Sequence, residues 1–197
     1  MKVLFVASRS PWPPTDGGRV LMAHTIDGLL ARGHDITVVA TGEGRAAPAA
    51  VPGAGKLRVH LVSERRRSLP ISAVASLVDG QPFSVAAQPS RRARDEAADL
   101  LTTERFDVVH VQQLQALPKA EPALARHVPV VLRAENVESE LWSGLAAVRP
   151  SLRPFAAFEA GRLTRFEARA MLRVSATVAL TETDAARLRR LAPGARI

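Results

Sequence analysis

The sequence contains no cysteine and no tyrosine, and aromatic residues fill only 4% of its 197 positions. Without cysteine there is no disulfide scaffold, thiol nucleophile, iron–sulfur cluster or cysteine-based zinc site. Long apolar runs are also missing. The opening Met1-Lys2-Val3-Leu4-Phe5-Val6-Ala7 is too short for a signal-peptide core. No later run approaches the roughly 18 residues needed to span a bilayer. The expectation is a cytoplasmic chain that does not cross a membrane. The motifs G-x-G-x-x-G, H-E-x-x-H and G-x-S-x-G are absent, and no carboxylate pair marks a metal site. Pro52-Gly53-Ala54-Gly55-Lys56 is close to a P-loop, but Ala50 takes the first glycine position and Leu57 the Ser/Thr position, so it is rejected.

What is present suits a soluble globular domain: 47% apolar residues, enough for one sizeable α/β core. Net charge is +8, and of the 27 basic residues 24 are arginine, beside 34 alanines. Such a bias arises from GC-rich coding as readily as from selection for anion binding. The basic residues are scattered and few aromatics accompany them for base stacking, so no nucleic-acid partner is expected.

Two element types alternate along the chain. Dense Val/Ile/Leu runs at Lys2–Ala7, Asp35–Ala40, Leu57–Val62, Phe106–Val111, Val128–Leu132 and Ser175–Leu180 read as buried strands. Helical spacing falls in Gly18–Arg32, Leu69–Val78, Pro89–Glu104, Glu138–Val148, Pro154–Arg173 and Glu182–Leu191. A further helix over Leu114–His127 is broken near Pro118 and Pro122, Thr41–Gly55 reads as a surface loop, and Ala195–Ile197 as a strand just beginning. The pattern predicts a single Rossmann-like α/β domain, a doubly wound, mainly parallel sheet with helices on both faces.

In such sheets ligands bind at the carboxyl ends of the strands. Four loops bring polar groups there: Ser8–Gly18 after the first strand, His110 with Gln112 and Gln113, Arg133 with Glu135 and Asn136, and Thr181 with Glu182 and Asp184. Gly17-Gly18 opens the first helix, where free amides attract oxyanions. A plain turn with Asp16 as N-cap explains the same residues. Trp12 suits stacking on a sugar or anchoring its loop, and His110 faces either a ligand or the packing of the sheet. In the long helix Arg162, Arg165, Arg169 and Arg173 share one face. They suit anionic lipid headgroups at the inner face of a membrane, or a solvated face paired with Glu159 and Glu167.

These residues together resemble a family. The first strand, Pro13-Pro14-x-x-Gly17-Gly18 and a helix ending Leu30-Ala31-Arg32-Gly33-His34 look like the N-terminal domain of family 4 glycosyltransferases of the GT-B fold. Phe106–Val111, then Leu132-Arg133-Ala134-Glu135-Asn136-Val137-Glu138 with Trp142, fit the same pattern. So do Phe166-Glu167-Ala168-Arg169 and Ala176–Glu182. The resemblance covers essentially the whole chain. It implies retaining, metal-independent transfer of a sugar from a nucleotide sugar, which enters as substrate, with no cofactor. It implies that this domain holds a glycan, lipid-linked or small-molecule acceptor. Gly17 and Gly18 would approach the donor phosphates, and Asp16, His110, Gln112, Arg133, Glu135 and Asn136 would lie on the acceptor side.

By the same resemblance, most of the nucleotide site lies in a C-terminal donor-binding domain or subunit outside this chain, which alone is expected to be inactive. No catalytic residue is named here. Two positions depart from the family. Many relatives carry histidine where Gln112 stands, and glutamine orients a hydroxyl but is no general base near neutral pH. Relatives often carry histidine where Glu135 stands. The alternative is a non-catalytic ligand-binding or interaction module in a Rossmann-like shell, which a stable homodimer would favour, or one subunit of a two-chain transferase.

Overall fold

The computed structural model describes residues 1–42, 55–64, 68–88 and 90–197. Most of the predicted 41–55 loop and of the P-loop look-alike lies outside these residues, as does Pro89. Among the described residues there are six strands: β1 (Lys2–Ala7), β2 (Asp35–Thr41), β3 (Leu57–Val62), β4 (Val108–Gln112), β5 (Val130–Ala134) and β6 (Ala176–Ala179). Their order is β3-β2-β1-β4-β5-β6, in an all-parallel sheet. The helices are α1 (Gly17–Ala31), α2 (Leu69–Val78), α3 (Phe83–Ala86), α4 (Arg91–Thr103), α5 (Glu121–Ala125), α6 (Glu138–Val148), α7 (Arg153–Arg173) and α8 (Glu182–Leu191). Single 3-10 segments cover Leu114–Ala120 and Pro150–Leu152.

The Rossmann-like α/β reading therefore holds, with corrections at element ends. β4 starts at Val108 and β5 at Val130, each two residues later than expected. Pro129 has no N–H for a ladder, and only its carbonyl is used, accepting from Val109 at 2.8 Å. The two prolines turn the expected 114–127 helix into a 3-10 segment followed by one short α-helix. Ala195–Ile197 is not a strand, although the Arg196 carbonyl accepts the Thr177 N–H at 2.8 Å.

No boundary is legible in the sequence, yet the contacts divide the chain into two compact units. The first comprises Met1–Arg65, Pro89–Gln112 and Ala116–Val130. In it β1 pairs with β2 and β4, and β2 with β3. Alternation along β1 sends Val3, Phe5 and Ala7 into a cluster with Met22, Ile26 and Leu30 of α1. Leu4 and Val6, on the opposite side, are equally buried, so both sheet faces are covered. Each large side chain in this core contributes about 1.5–3 kcal/mol by leaving water. Gly33 ends α1 at φ 76°, a conformation glycine reaches without a Cβ clash, and its N–H bonds the Leu30 carbonyl at 2.8 Å.

The second unit comprises Arg66–Gln88, Gln113–Gln115 and Val131–Ile197. Its β5–β6 pair and helices α7 and α8 enclose a cluster of Val137, Met171, Leu188 and Ala192. The long α7 organises the unit through buried polar side chains as well as apolar ones.

Candidate functional site

In the first unit the carboxyl end of β1 feeds a loop fixed by hydrogen bonds along its length. The Ser10 N–H bonds the Thr41 carbonyl at 2.9 Å, and the Ser10 hydroxyl donates to the Trp12 carbonyl at 2.8 Å. Trp12 packs against the α1–β1–β2 core, so of its two readings the loop anchor describes this structure. Arg9 makes a forked contact with Asp16 at 3.0 and 2.7 Å. Asp16 caps α1 by accepting the Arg19 N–H at 3.1 Å. That bond, joined by the charges of Arg9 and Arg19, holds the Asp16 carboxyl below the usual range.

The Gly17 and Gly18 amides precede the first intrahelical bond, from Val20 N–H to the Asp16 carbonyl at 2.9 Å. A Cβ on Gly17 would meet nothing within 4 Å, and its φ lies outside the left-handed region. Neither packing nor backbone geometry requires glycine there.

Behind this loop sits a residue the sequence reading missed. Lys119 has no exposed surface, and its Nζ donates to the carbonyls of Ala7 at 3.0 Å and Ser8 at 3.2 Å. The Thr41 hydroxyl lies 3.4 Å from it and itself donates to the Ser8 carbonyl. Burial brings the Lys119 ammonium down to about 8, against the opposing charge of Glu64. Its signal in the sequence was faint: one of three lysines in an arginine-rich chain, directly after Pro118.

His110 stacks on Phe5 with ring centroids 4.6 Å apart and 12° between planes. Its Nε2 lies 3.0 Å from Oε1 of Gln112, which is fully buried. The first unit thus brings Asp16 beside Gly17 and Gly18, and His110 beside Gln112.

In the second unit, the end of β5 carries Arg133, Glu135 and the exposed Asn136. Gln113 donates its side-chain amide to Glu135, and its backbone N–H to the Arg133 carbonyl at 3.1 Å. Gln113 sits at φ 72°, a left-handed conformation unusual for a residue with a Cβ. Burial pulls the Arg133 guanidinium down from its usual value, and Glu135 opposes the shift. Glu135, Asn136, Glu138 and Glu167 line a small cleft floored by Leu132 and Met171. Burial raises the Glu138 carboxyl, with the Glu135 charge adding to the shift and a Gln115 hydrogen bond opposing it. The sequence places Gln113 on the rim without a role of its own, and marks neither Glu138 nor Glu167 for the site. Among the described residues no group of three His, Asp or Glu side chains could hold a metal.

The arginine stripe on α7 does not behave as one surface. Arg162 is only 12% exposed and bonds Ser76 and the Gln81 carbonyl, whereas Arg165, Arg169 and Arg173 are exposed. Glu159 and Glu167, expected on a solvated face, are buried instead. Among the described residues no helix is long and apolar enough to cross a membrane.

Two solved structures share this fold. One is a UDP-glucosyltransferase from Polygonum tinctorium capable of glucosylating indoxyl, in complex with 3,4-dichloroaniline. It is 11% identical at TM-score 0.52, over 94% of this chain and 48% of its own. The other is Arabidopsis thaliana UGT89C1 complexed with UDP, 16% identical at TM-score 0.51, over 100% of this chain and 50% of its own. The chain thus spans about half the length of both, and the fold it shares with them is a Rossmann-like α/β fold. The family model described as Glycosyltransferase Family 4 matches residues 15–197, and the chain belongs to that family. Comparison with curated proteins finds no match.

Proposed function

We propose that this chain is the acceptor-binding half of a retaining, metal-independent glycosyltransferase that takes its sugar from a nucleotide donor. The family match over residues 15–197 supports transferase chemistry, and Gly17 carries the donor side of the reading. It is a glycine at a capped helix amino terminus with open space where a side chain would stand. That combination lets a diphosphate oxygen approach the Gly17 and Gly18 amides.

Arg133, Glu135 and Asn136 hold acceptor hydroxyls. The guanidinium donates, the carboxylate accepts, and the exposed amide of Asn136 does both. Gln113 aims Glu135 and acts as a positioning residue. Gln112 orients His110, and Asp16 serves by fixing the glycines to the Arg9 loop. Transfer breaks the anomeric carbon–oxygen bond to the diphosphate and forms a bond from an acceptor hydroxyl on the same face of the sugar. The hydroxyl proton leaves with the diphosphate. The donor nucleotide is held mainly by a C-terminal domain or subunit; that the chain spans about half the length of the two solved structures described above supports this division.

The test is to titrate purified residues 1–197 with a panel of nucleotide sugars while monitoring turnover. Weak binding without transfer is expected. Robust sugar transfer by this chain alone overturns the half-enzyme reading.

A further inference from the structure

Lys119 is an ammonium buried among neutral oxygens. Its Nζ lies 3.0 Å from the Ala7 carbonyl, 3.2 Å from that of Ser8 and 3.4 Å from the Thr41 hydroxyl, and the side chain has no exposed surface. The three N–H groups of an ammonium thus meet three oxygens, none of them a carboxylate. Stability does not call for a charge at this place. An ammonium taken out of water without an opposite charge in contact costs stability, and a well-packed apolar side chain of similar volume often does better. The fall of its value to about 8, caused by burial, records that cost.

What the three oxygens share is their position. Ala7 ends β1, Ser8 opens the loop after it and Thr41 ends β2, so Lys119 stitches together the carboxyl ends of two neighbouring strands. The stitching continues into the loop. Thr41 donates its hydroxyl to the Ser8 carbonyl, and its own carbonyl accepts the Ser10 N–H at 2.9 Å. Arg9, between these two anchored residues, forks onto Asp16, and Asp16 caps the helix that Gly17 and Gly18 open. One run of bonds and contacts therefore leads from the Lys119 ammonium to the two amides assigned to the donor diphosphate. All of these residues belong to the first compact unit.

The charges around Lys119 leave room for an anion. Among the described residues, Glu64 just past β3 is the carboxylate that acts on it, through its charge rather than a hydrogen bond, while accepting the Arg91 backbone N–H at 3.2 Å. On the loop, Arg9 and Asp16 are paired with each other. The ends of β1 and β2 and the rest of the 114–120 segment carry no other ionisable side chain, and Glu121 opens the next helix. We propose, resting on the donor side of the proposed function, that Lys119 is a positioning residue for the nucleotide-sugar diphosphate: it fixes the loop that carries Gly17 and Gly18, and its charge favours the bound anion. The coupling is reciprocal. A ligand that binds better to the ammonium form also holds the proton on Lys119, so affinity is highest below about 8 and falls as pH rises through that value.

The experiment is isothermal titration calorimetry of the full chain with UDP-glucose and ADP-glucose, whose diphosphates keep the same charge from pH 7 to pH 9. Lys119→Met and Lys119→Gln accompany wild type; the second keeps a hydrogen-bond donor without the charge. Two buffers of different ionisation enthalpy at pH 8.5 count the protons taken up, and circular dichroism melting checks that the variants fold. A coupling of about tenfold, that of unit charges roughly 10 Å apart at an effective dielectric near 20, predicts wild-type affinity about fivefold weaker at pH 9 than at pH 7 and about half a proton taken up per ligand at pH 8.5. Both variants should bind more weakly at pH 7, lose the pH dependence and take up no proton. Wild-type binding that ignores pH, with no proton uptake, overturns this role and leaves the donor site standing, as does a pH dependence that the folded variants retain. No binding by wild type at any pH removes the donor site and the role of Lys119 with it.

Discussion

Glu167 accepts the backbone N–H of Glu138 at 2.7 Å, and its second oxygen takes that of Ser139 at 3.1 Å. A residue in the middle of α7 thus caps the amino terminus of α6, whose own N-cap position, Val137, offers no side-chain acceptor. Glu159 does the same for α3 by accepting the Ser84 N–H at 3.2 Å, where Pro82 holds the N-cap position. Replacing Glu167 by alanine leaves the buried Ser139 amide and its neighbour without this acceptor. The expected cost is about 1–3 kcal/mol, read as a lower urea midpoint with an unchanged slope. A variant as stable as wild type removes the capping role.

The pH dependence of that contact has a definite sign. Burial raises the Glu167 carboxyl above its usual 4.5, although the Ser139 and Glu138 hydrogen bonds pull the other way. The fold therefore favours the protonated group. Its contribution is fully present below 4.5 and is lost as pH rises through the raised folded value. Wild type should gain on Glu167→Gln, which cannot titrate, as pH falls from neutral toward 4.5. Denaturation midpoints across that window check this, and the opposite trend would mean that the cap bonds outweigh burial.

Lys119 carries the reverse dependence. Its folded value of about 8 lies below the usual 10.5, so between these two pH values the unfolded chain holds the proton that the folded chain has released. Stability attributable to Lys119 rises through that window, by up to about 3 kcal/mol. Comparing wild type with Lys119→Met at pH 8 and pH 10 should show wild type gaining. Lys119→Arg, which forces a larger fork into a site with no exposed surface, should lose about 1–3 kcal/mol at either pH.

These buried polar groups also mark where the sequence ceased to be legible. The strands were legible because each is a dense apolar run, and β1, β3, α2, α6 and α8 have the expected ends. β4 and β5 slipped by two residues because Phe106 is an apolar residue buried outside the ladder and Pro129 cannot donate into it. α3 is four residues long and owes its start to Glu159, far away in sequence, so no local pattern announces it. The rim residues were legible from their place after each strand. Lys119, Glu159 and Glu167 were not, because a charged side chain reads as surface until the fold supplies carbonyls or amides to receive it.

Gln113 offers a test of backbone strain in the candidate acceptor site. Its φ of 72° costs a residue with a Cβ about 1 kcal/mol that glycine does not incur. Gln113→Gly should therefore be more stable than Gln113→Ala by about that amount. Both lose the amide that holds Glu135. If that contact aims the carboxylate, both should weaken acceptor binding equally despite their different stabilities. Unequal binding that tracks stability would make Gln113 a purely structural residue.

Gly17 separates folding from function most cleanly. A methyl group there meets open space, and no positive φ demands glycine. Gly17→Ala should leave the melting temperature unchanged or raise it, since alanine in the first helical turn restricts the unfolded chain by about 0.4–1 kcal/mol. A diphosphate resting on the Gly17 and Gly18 amides would collide with that methyl, so nucleotide-sugar affinity should fall by about tenfold or more, roughly 1.4 kcal/mol. Calorimetry of the two proteins with one nucleotide sugar reads both effects together. A stabilised variant with weakened binding assigns the glycine to the ligand. Unchanged binding leaves it as an ordinary helix start, and the donor side of the proposed function falls with it.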